Sequence, residues 1–336
     1  MTLASRPADD RAGAPAGALF ALPLARLALP AAFAAVFTVF AVVSPGFLTG
    51  ANLVSILVNA FALLAIVSLA MTLVVASGGI DLSLGTAIDF ASFAFVTLVL
   101  LGQPVWIGLL GGLAAGSAVG AFNALLISGI GVSPFLATLG TLFVGRSVQQ
   151  LLTNGGNPVY LPPAGVPADF RTLGHGSLLG LPAPLALALA LGAGLAVVLS
   201  ASRFGRVVTY AGVQAEIVRY SGIGVRGHVA VAYVVAAAIA AVAGLILTST
   251  VTVYIPNSGN AFTLNAIGAT FIGTTLSRFG RPNVPGTLLG VLLLAVVANG
   301  LLLSGLNFYW QQVGTGLLIL VVLGLGFLTR ARAGGA

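Results

Sequence analysis

The chain has no cysteine and no lysine, and only six acidic residues in 336. Without cysteine there can be no disulfide, no thiolate nucleophile and no Cys-ligated metal. The two histidines, His175 and His228, lie far apart in predicted loops, so no histidine metal centre is expected. Phosphate loops of the form Gly-x-x-x-x-Gly-Lys-Ser/Thr need a lysine, and none is present, so the chain does not hydrolyse ATP unaided. The apolar runs hold no nucleophile–base constellation and no His/Glu metal spacing, which leaves an intramembrane enzyme without support. No catalytic residue, metal or bound cofactor is expected.

What is abundant is apolar. Hydrophobic residues make up 59% and charged residues 6%, against about a quarter charged in a soluble domain. Mean hydropathy is +1.13. This is the composition of a polytopic, all-α membrane protein. A spanning helix needs about 20 mainly apolar residues, and ten stretches qualify: 27–43, 52–76, 84–101, 104–128, 133–152, 183–200, 229–250, 262–277, 286–304 and 309–328. The run 262–277 is the weakest, being short and carrying Asn265, Thr270, Thr274 and Thr275, and reads as a partial or irregular helix. The first apolar run lacks a small-residue cleavage site and reads as a retained helix. The expected layout is an N-terminal tail over 1–26, a transmembrane domain over 27–328 and a short tail over 329–336.

All thirteen basic residues are arginine. With the N-terminus inside and ten alternating spans, Arg6, Arg11, Arg26, Arg203, Arg206, Arg219, Arg226, Arg278, Arg281, Arg330 and Arg332 fall on the cytoplasmic side. Only Arg171 falls outside, and Arg146 lies within a span. That bias obeys the positive-inside rule and places both termini in the cytoplasm. The basic charge therefore reads as membrane orientation, not nucleic-acid binding.

Against this background Ser77-Gly-Gly-Ile-Asp-Leu-Ser-Leu-Gly85 stands out. Its glycines oppose a continuous helix, and Asp81 places a carboxylate beside the membrane, where ionisable groups are rare and usually functional. The other reading is a capped turn, with Asp81 or Ser83 starting the next helix; the two are compatible. Asn123-Ala-Leu-Leu-Ile-Ser-Gly-Ile130 echoes Asn299-Gly-Leu-Leu-Leu-Ser-Gly-Leu306, a relation that an inverted five-plus-five repeat would produce. Intramembrane charge is costly unless paired, which makes Asp89 and Arg146 a candidate ion pair.

Two connections are long. Residues 153–182, polar and rich in Pro and Gly, fall outside; they read either as a surface for an external partner or as a solvated connector. Residues 201–228 fall inside and contain Glu216, the chain's only glutamate. A short helix over about Gln214–Tyr220, bounded by Gly212, Gly222 and Gly224, either docks into a partner's groove or lies on anionic lipid.

Several of these stretches, in this order, resemble bacterial ABC-importer permeases for monosaccharides of the ribose, xylose and arabinose type. They are SGGIDLSLG (77–85), Pro134-Phe-Leu-Ala-Thr-Leu-Gly140 followed by Arg146, AGVQAEIVRYSGIGV (211–225), AIGATFIGTT (266–275) and GTLLGVLLLAVVANGL (286–301). The resemblance covers roughly 27–328. It departs at Asn265, where the family usually has Asp, and at Val213-Gln214, where it usually has Gly-Asn. The resemblance implies an inner-membrane permease subunit that pairs with a second copy or a sister permease. A cytoplasmic ABC ATPase would supply ATP hydrolysis, and an external sugar-binding protein would deliver the cargo. It also implies that the 201–228 loop contacts the ATPase, through Gln214, Glu216, Ile217, Arg219, Tyr220, Ser221 and Gly222. Asp81, Ser83, Asn123 and Asn299 then become candidates for the translocation path or its gating, since sugars need hydroxyl partners; the two asparagines alternatively bridge helices. A proton- or sodium-coupled secondary transporter, with Asp81 or Asp89 as coupling site, is the competing class, although it has no need of the Glu216 loop.

Overall fold

A computed structural model describes residues 16–162, 165–277 and 280–334. Arg6, Arg11 and Arg278, and with them part of the arginine tally, lie outside the described residues. The architecture is a helical bundle: α1 (Ala16–Val43), α2 (Gly50–Ala76), α3 (Leu84–Leu100), α4 (Val105–Ile130), α5 (Pro134–Leu152), α6 (Ala183–Ala201), α7 (Arg203–Tyr220), α8 (Val225–Val251), α9 (Asn260–Thr274), α10 (Val284–Leu303) and α11 (Phe308–Gly334). A helix stands at each of the ten apolar runs. α1 begins upstream of the expected 27, and α11 continues past 328.

Among the described residues, five helices are long and apolar enough to cross a membrane: α2, α4, α6, α8 and α10. Shorter apolar stretches occupy Leu27–Val43, Leu84–Leu100 and Tyr309–Val322. α5 falls short because Arg146, Gln149 and Gln150 dilute it. α9 has 15 residues, about 22 Å at 1.5 Å per residue, against a hydrocarbon core of about 30 Å. The expectation of a partial helix at 262–277 matches this length.

α2 is the central element. From Ala62 to Ala76 nearly every side chain is buried, on all faces, the pattern of a helix enclosed by others. Its polar residues bond across to neighbours. Thr72 Oγ1 lies 2.8 Å from Thr287 Oγ1 of α10, and Thr270 Oγ1 of α9 donates to Ser68 O at 3.2 Å. The outer faces of the helices carry large exposed apolar side chains, among them Trp106, Leu110, Phe122, Phe143 and Leu320, a surface suited to lipid rather than water.

α3, α4 and α8 form the tightest packed group. Gly112, Gly116 and Gly120 lie at four-residue spacing on one face of α4. A Cβ at Gly112 would meet Ala91 O of α3 at 2.7 Å, and one at Gly120 would meet Tyr233 O of α8 at 2.6 Å. Small residues at such spacing let backbones approach, which is how helices associate where the hydrophobic effect offers nothing.

The described residues of the 153–182 connection are mostly exposed, with a few points of attachment to the bundle. Val159–Tyr160 (β1) pairs antiparallel with Val253–Tyr254 (β4), and Ser177–Leu178 (β2) pairs with Leu181–Pro182 (β3). Phe170 is fully buried and stacks on Phe95 at 4.5 Å. Ser249 Oγ donates to Phe170 O at 2.7 Å and accepts from Gly174 N at 2.8 Å. The segment is thereby clamped over the ends of α3 and α8.

The packing predicts that Gly120→Val costs about 1–3 kcal/mol, the usual range for overpacking. Gly140→Ala, at a position with nothing within 4 Å, should cost almost nothing. Thermal melts of the two variants in detergent check this.

Candidate functional site

The 77–85 break lies inside the bundle. Gly78 (φ +89) ends α2 in the left-handed region. Asp81 then makes a tight turn, its Oδ1 accepting from Ser83 N at 2.8 Å and Ser83 Oγ at 2.7 Å. Ser83 occupies the N-cap position of α3 without a side-chain cap bond. The polar chain continues outward. Asn123 Nδ2 of α4 donates to Ser83 Oγ at 2.7 Å, and Thr141 Oγ1 of α5 donates to Asn123 Oδ1 at 2.6 Å. Thr138 Oγ1 reaches Ile80 O at 3.2 Å. All of these polar side chains are buried. Asp81 Oδ2 and the Tyr233 hydroxyl take no hydrogen bond within the described residues, and the hydroxyl packs directly against Gly79.

Asn299 does not join this group. It forms a reciprocal amide pair with Asn52, at 3.0 and 2.9 Å, linking α10 to α2. The two asparagines of the sequence echo therefore have different surroundings, and both bridge helices.

The expected Asp89–Arg146 pair does not form. Asp89 is fully buried and its Oδ1 accepts from Gly259 N at 2.8 Å and Ser258 Oγ at 3.1 Å. The Thr252–Gly259 segment folds back along α3 so that α9 starts beside Gly85 and Asp89. A carboxyl oxygen placed there meets the free N–H groups at the start of the helix. Gln149 of α5 secures the same segment, its Oε1 accepting from Asn257 N at 2.8 Å and Tyr254 OH at 3.0 Å. Arg146 is exposed instead. It lines a cavity of about 210 Å³ with Leu82, Phe143, Asn260 and Thr263.

The third feature is α7. Gln214 (φ −149, ψ 79) breaks it, so the residue expected inside the short helix is its boundary, and helix resumes after it. Val218 anchors this last part against Val207, Ala211 and Val225. Ile217 and Tyr220 point outward, 59% and 89% exposed. Glu216 and Arg219 pair with each other at 2.8 Å on the exposed face. Just before the kink, Gly212 lies against the break: a Cβ on Gly78 would meet Gly212 Cα at 3.0 Å, and one on Gly212 would meet Gly78 N at 2.8 Å and overlap Ala76 O. The part of α7 before the kink and the end of α2 at 76–78 are thus in backbone contact.

Thr138, Thr141, Gln149, Tyr233 and Ser258 escape sequence reasoning. The signal available for Gln149 was an amide inside the 133–152 run. The others look like ordinary residues of their segments.

A family model described as "Branched-chain amino acid transport system / permease component" matches residues 52–323. The ribose import permease protein RbsC of Bacillus subtilis is 32% identical over 285 residues, 85% of this chain and 87% of the relative. The D-allose transport system permease protein AlsC of Escherichia coli K12 is 29% identical, with 87% and 88% covered. The galactofuranose transporter permease protein YtfT of the same organism is 31% identical, with 80% and 77% covered. No solved structure gives a significant match.

Replacing Asp89 by Leu should lower stability by about 1–3 kcal/mol, the penalty for orphaning buried donors. Asp89→Asn, which keeps an acceptor, should cost less, and Arg146→Gln little. Melting temperatures of the three variants decide it; equal losses from Asp89→Leu and Arg146→Gln would restore the ion pair.

Proposed function

The chain belongs to the branched-chain amino acid transport system permease component family, and from that premise we propose that it is the membrane subunit of an ATP-driven monosaccharide importer. The observation that carries the reading is the α7 contact. An exposed helix with outward Ile217 and Tyr220 is fixed by Val218 and, through Gly212 just before its kink, bears on the backbone of Ala76 and Gly78 at the end of α2. An apolar-and-charged helix of this kind suits a groove on a partner. We assign that partner as a cytoplasmic ABC ATPase, with Ile217 and Tyr220 filling the groove and the Glu216–Arg219 pair, Gln214, Ser221 and Gly222 at its rim. Closure of an ATPase pair would push on Gly212 and so on the Asp81 turn.

The arginine asymmetry supports cytoplasmic termini and a cytoplasmic α7, which puts the clamped 153–182 segment outside, where a sugar-binding protein would dock. Ten membrane-embedded helices and a second permease copy or sister chain complete the proposed assembly in the bacterial inner membrane. The named specificities of the relatives, ribose, allose and galactofuranose, support a monosaccharide as cargo. The Asp81, Ser83 and Asn123 group serves gating by holding the break, and Asn299 serves it by tying α10 to α2. The ion-coupled alternative asks Asp81 or Asp89 to exchange a cation or proton; in each, Oδ1 accepts a backbone N–H bond, which fits an anchoring role, while Oδ2 has no partner among the described residues.

Reconstituted in liposomes with the ATPase and binding protein of its own operon, the chain should take up sugar only with ATP present. Uptake driven by a proton or sodium gradient without ATP would overturn the reading. The double change Ile217→Ala with Tyr220→Ala should cut binding-protein-stimulated ATPase activity about tenfold, as loss of about 1.4 kcal/mol at an interface centre predicts. Gly212→Val should uncouple hydrolysis from uptake.

A further inference from the structure

Most of the polar side chains singled out by sequence within the bundle are spent on the protein itself: Asp81, Ser83, Asn123, Asn299 and Asp89 each bond to a neighbouring segment or helix. A second polar group is not spent. Asn265 of α9 and Gln311, Gln312 and Thr315 of α11 line one cavity of about 350 Å³, over an apolar floor that includes Ala298 and Ile319. Among the described residues none of these four side chains has a hydrogen bond within the chain. Asn265, Ala298 and Thr315 also border a second cavity of about 160 Å³ that reaches toward Ala60 and Leu64 of α2.

Three unpartnered amides and a hydroxyl facing hydrocarbon would be costly, because nothing there replaces their hydrogen bonds to water. The groove is therefore a wet surface rather than a lipid-facing one. Its size lies at the low end of the range for small-molecule sites, about 300–1,000 Å³, enough for one small cargo molecule. Its chemistry is selective. Each amide offers two donors and an acceptor, and a hydroxyl offers one donor and two lone pairs; together they match vicinal hydroxyls, which also donate and accept. No charged residue lines the cavity. A zwitterionic amino acid would leave its ammonium and carboxylate without partners there, a heavy desolvation cost.

We propose that Asn265, Gln311, Gln312 and Thr315 form a selective station of the permeation path that admits neutral polyhydroxylated monosaccharides and rejects zwitterions of similar size. This rests on the importer reading above. The path then runs along the α9–α11 face, with the smaller cavity as the next step toward α2.

The test uses the complete importer in liposomes, with radiolabelled D-ribose, D-allose and L-leucine as probes. The wild type should move sugar and not leucine. Asn265→Leu and Gln312→Leu should lower initial sugar uptake about tenfold each at matched complex, the scale of one or two lost hydrogen bonds; Gln312→Asn should retain most of it. Co-purification with the ATPase controls for assembly, and if a Leu variant fails to assemble, the near-isosteric Thr315→Val carries the same expectation. Undiminished sugar uptake in assembled variants overturns the station and leaves the importer reading standing. A wild type that moves no sugar, or that moves leucine, overturns the importer reading and the station with it.

Discussion

Non-helical backbone buried in an apolar bundle must find its hydrogen bonds inside the protein, and the 77–85 break meets that constraint from four sides. Its own carboxylate closes the turn, Asn123 brings α4, Thr138 and Thr141 bring α5, and Gly79 packs on Tyr233 of α8. Each unmet group would cost several kcal/mol in a medium without water. α4, α5 and α8 thus each contribute a contact around this one turn.

The same constraint explains the second irregular segment. Between β4 and α9 the chain folds back along α3, and its free N–H groups would be stranded without Asp89 and Gln149. An intramembrane carboxylate, which in isolation reads as an ion-coupling group, is here the acceptor that lets a helix of 15 residues start within the bundle. Polar side chains without a partner among the described residues include Asp81 Oδ2, Asp89 Oδ2 and the Tyr233 hydroxyl inside the bundle, and a further group of amides lines the α9–α11 face. In the proposed scheme anchoring and cargo handling divide between different polar residues, while the Gly212 contact joins the end of α2 to α7.

Much of this was legible. Apolar runs located every long helix but α7 (Arg203–Tyr220), where only a short helix over about 214–220 is expected, because a spanning helix must be apolar for most of its length. The glycines and Asp81 marked the break, and an isolated Glu216 between glycines marked the surface helix. What failed was pairing. Asp89 and Arg146 look like partners because buried charge needs compensation, but the free N–H groups of a helix N-terminus can also receive a carboxylate, and nothing in local sequence announces that Gly259 will arrive beside residue 89. Asn299 was grouped with Asn123 by sequence echo, and the structure gives it to Asn52.

The sequence by itself determined the solvent, the helices, the breaks between them and the family, since each is written in local composition or contiguous motif. Which polar groups are spent and which remain free was decided only by the tertiary structure. Hydrogen bonds such as Asn123–Ser83 and Asn52–Asn299 join residues 40 and 247 positions apart, a separation that no local stretch of sequence encodes.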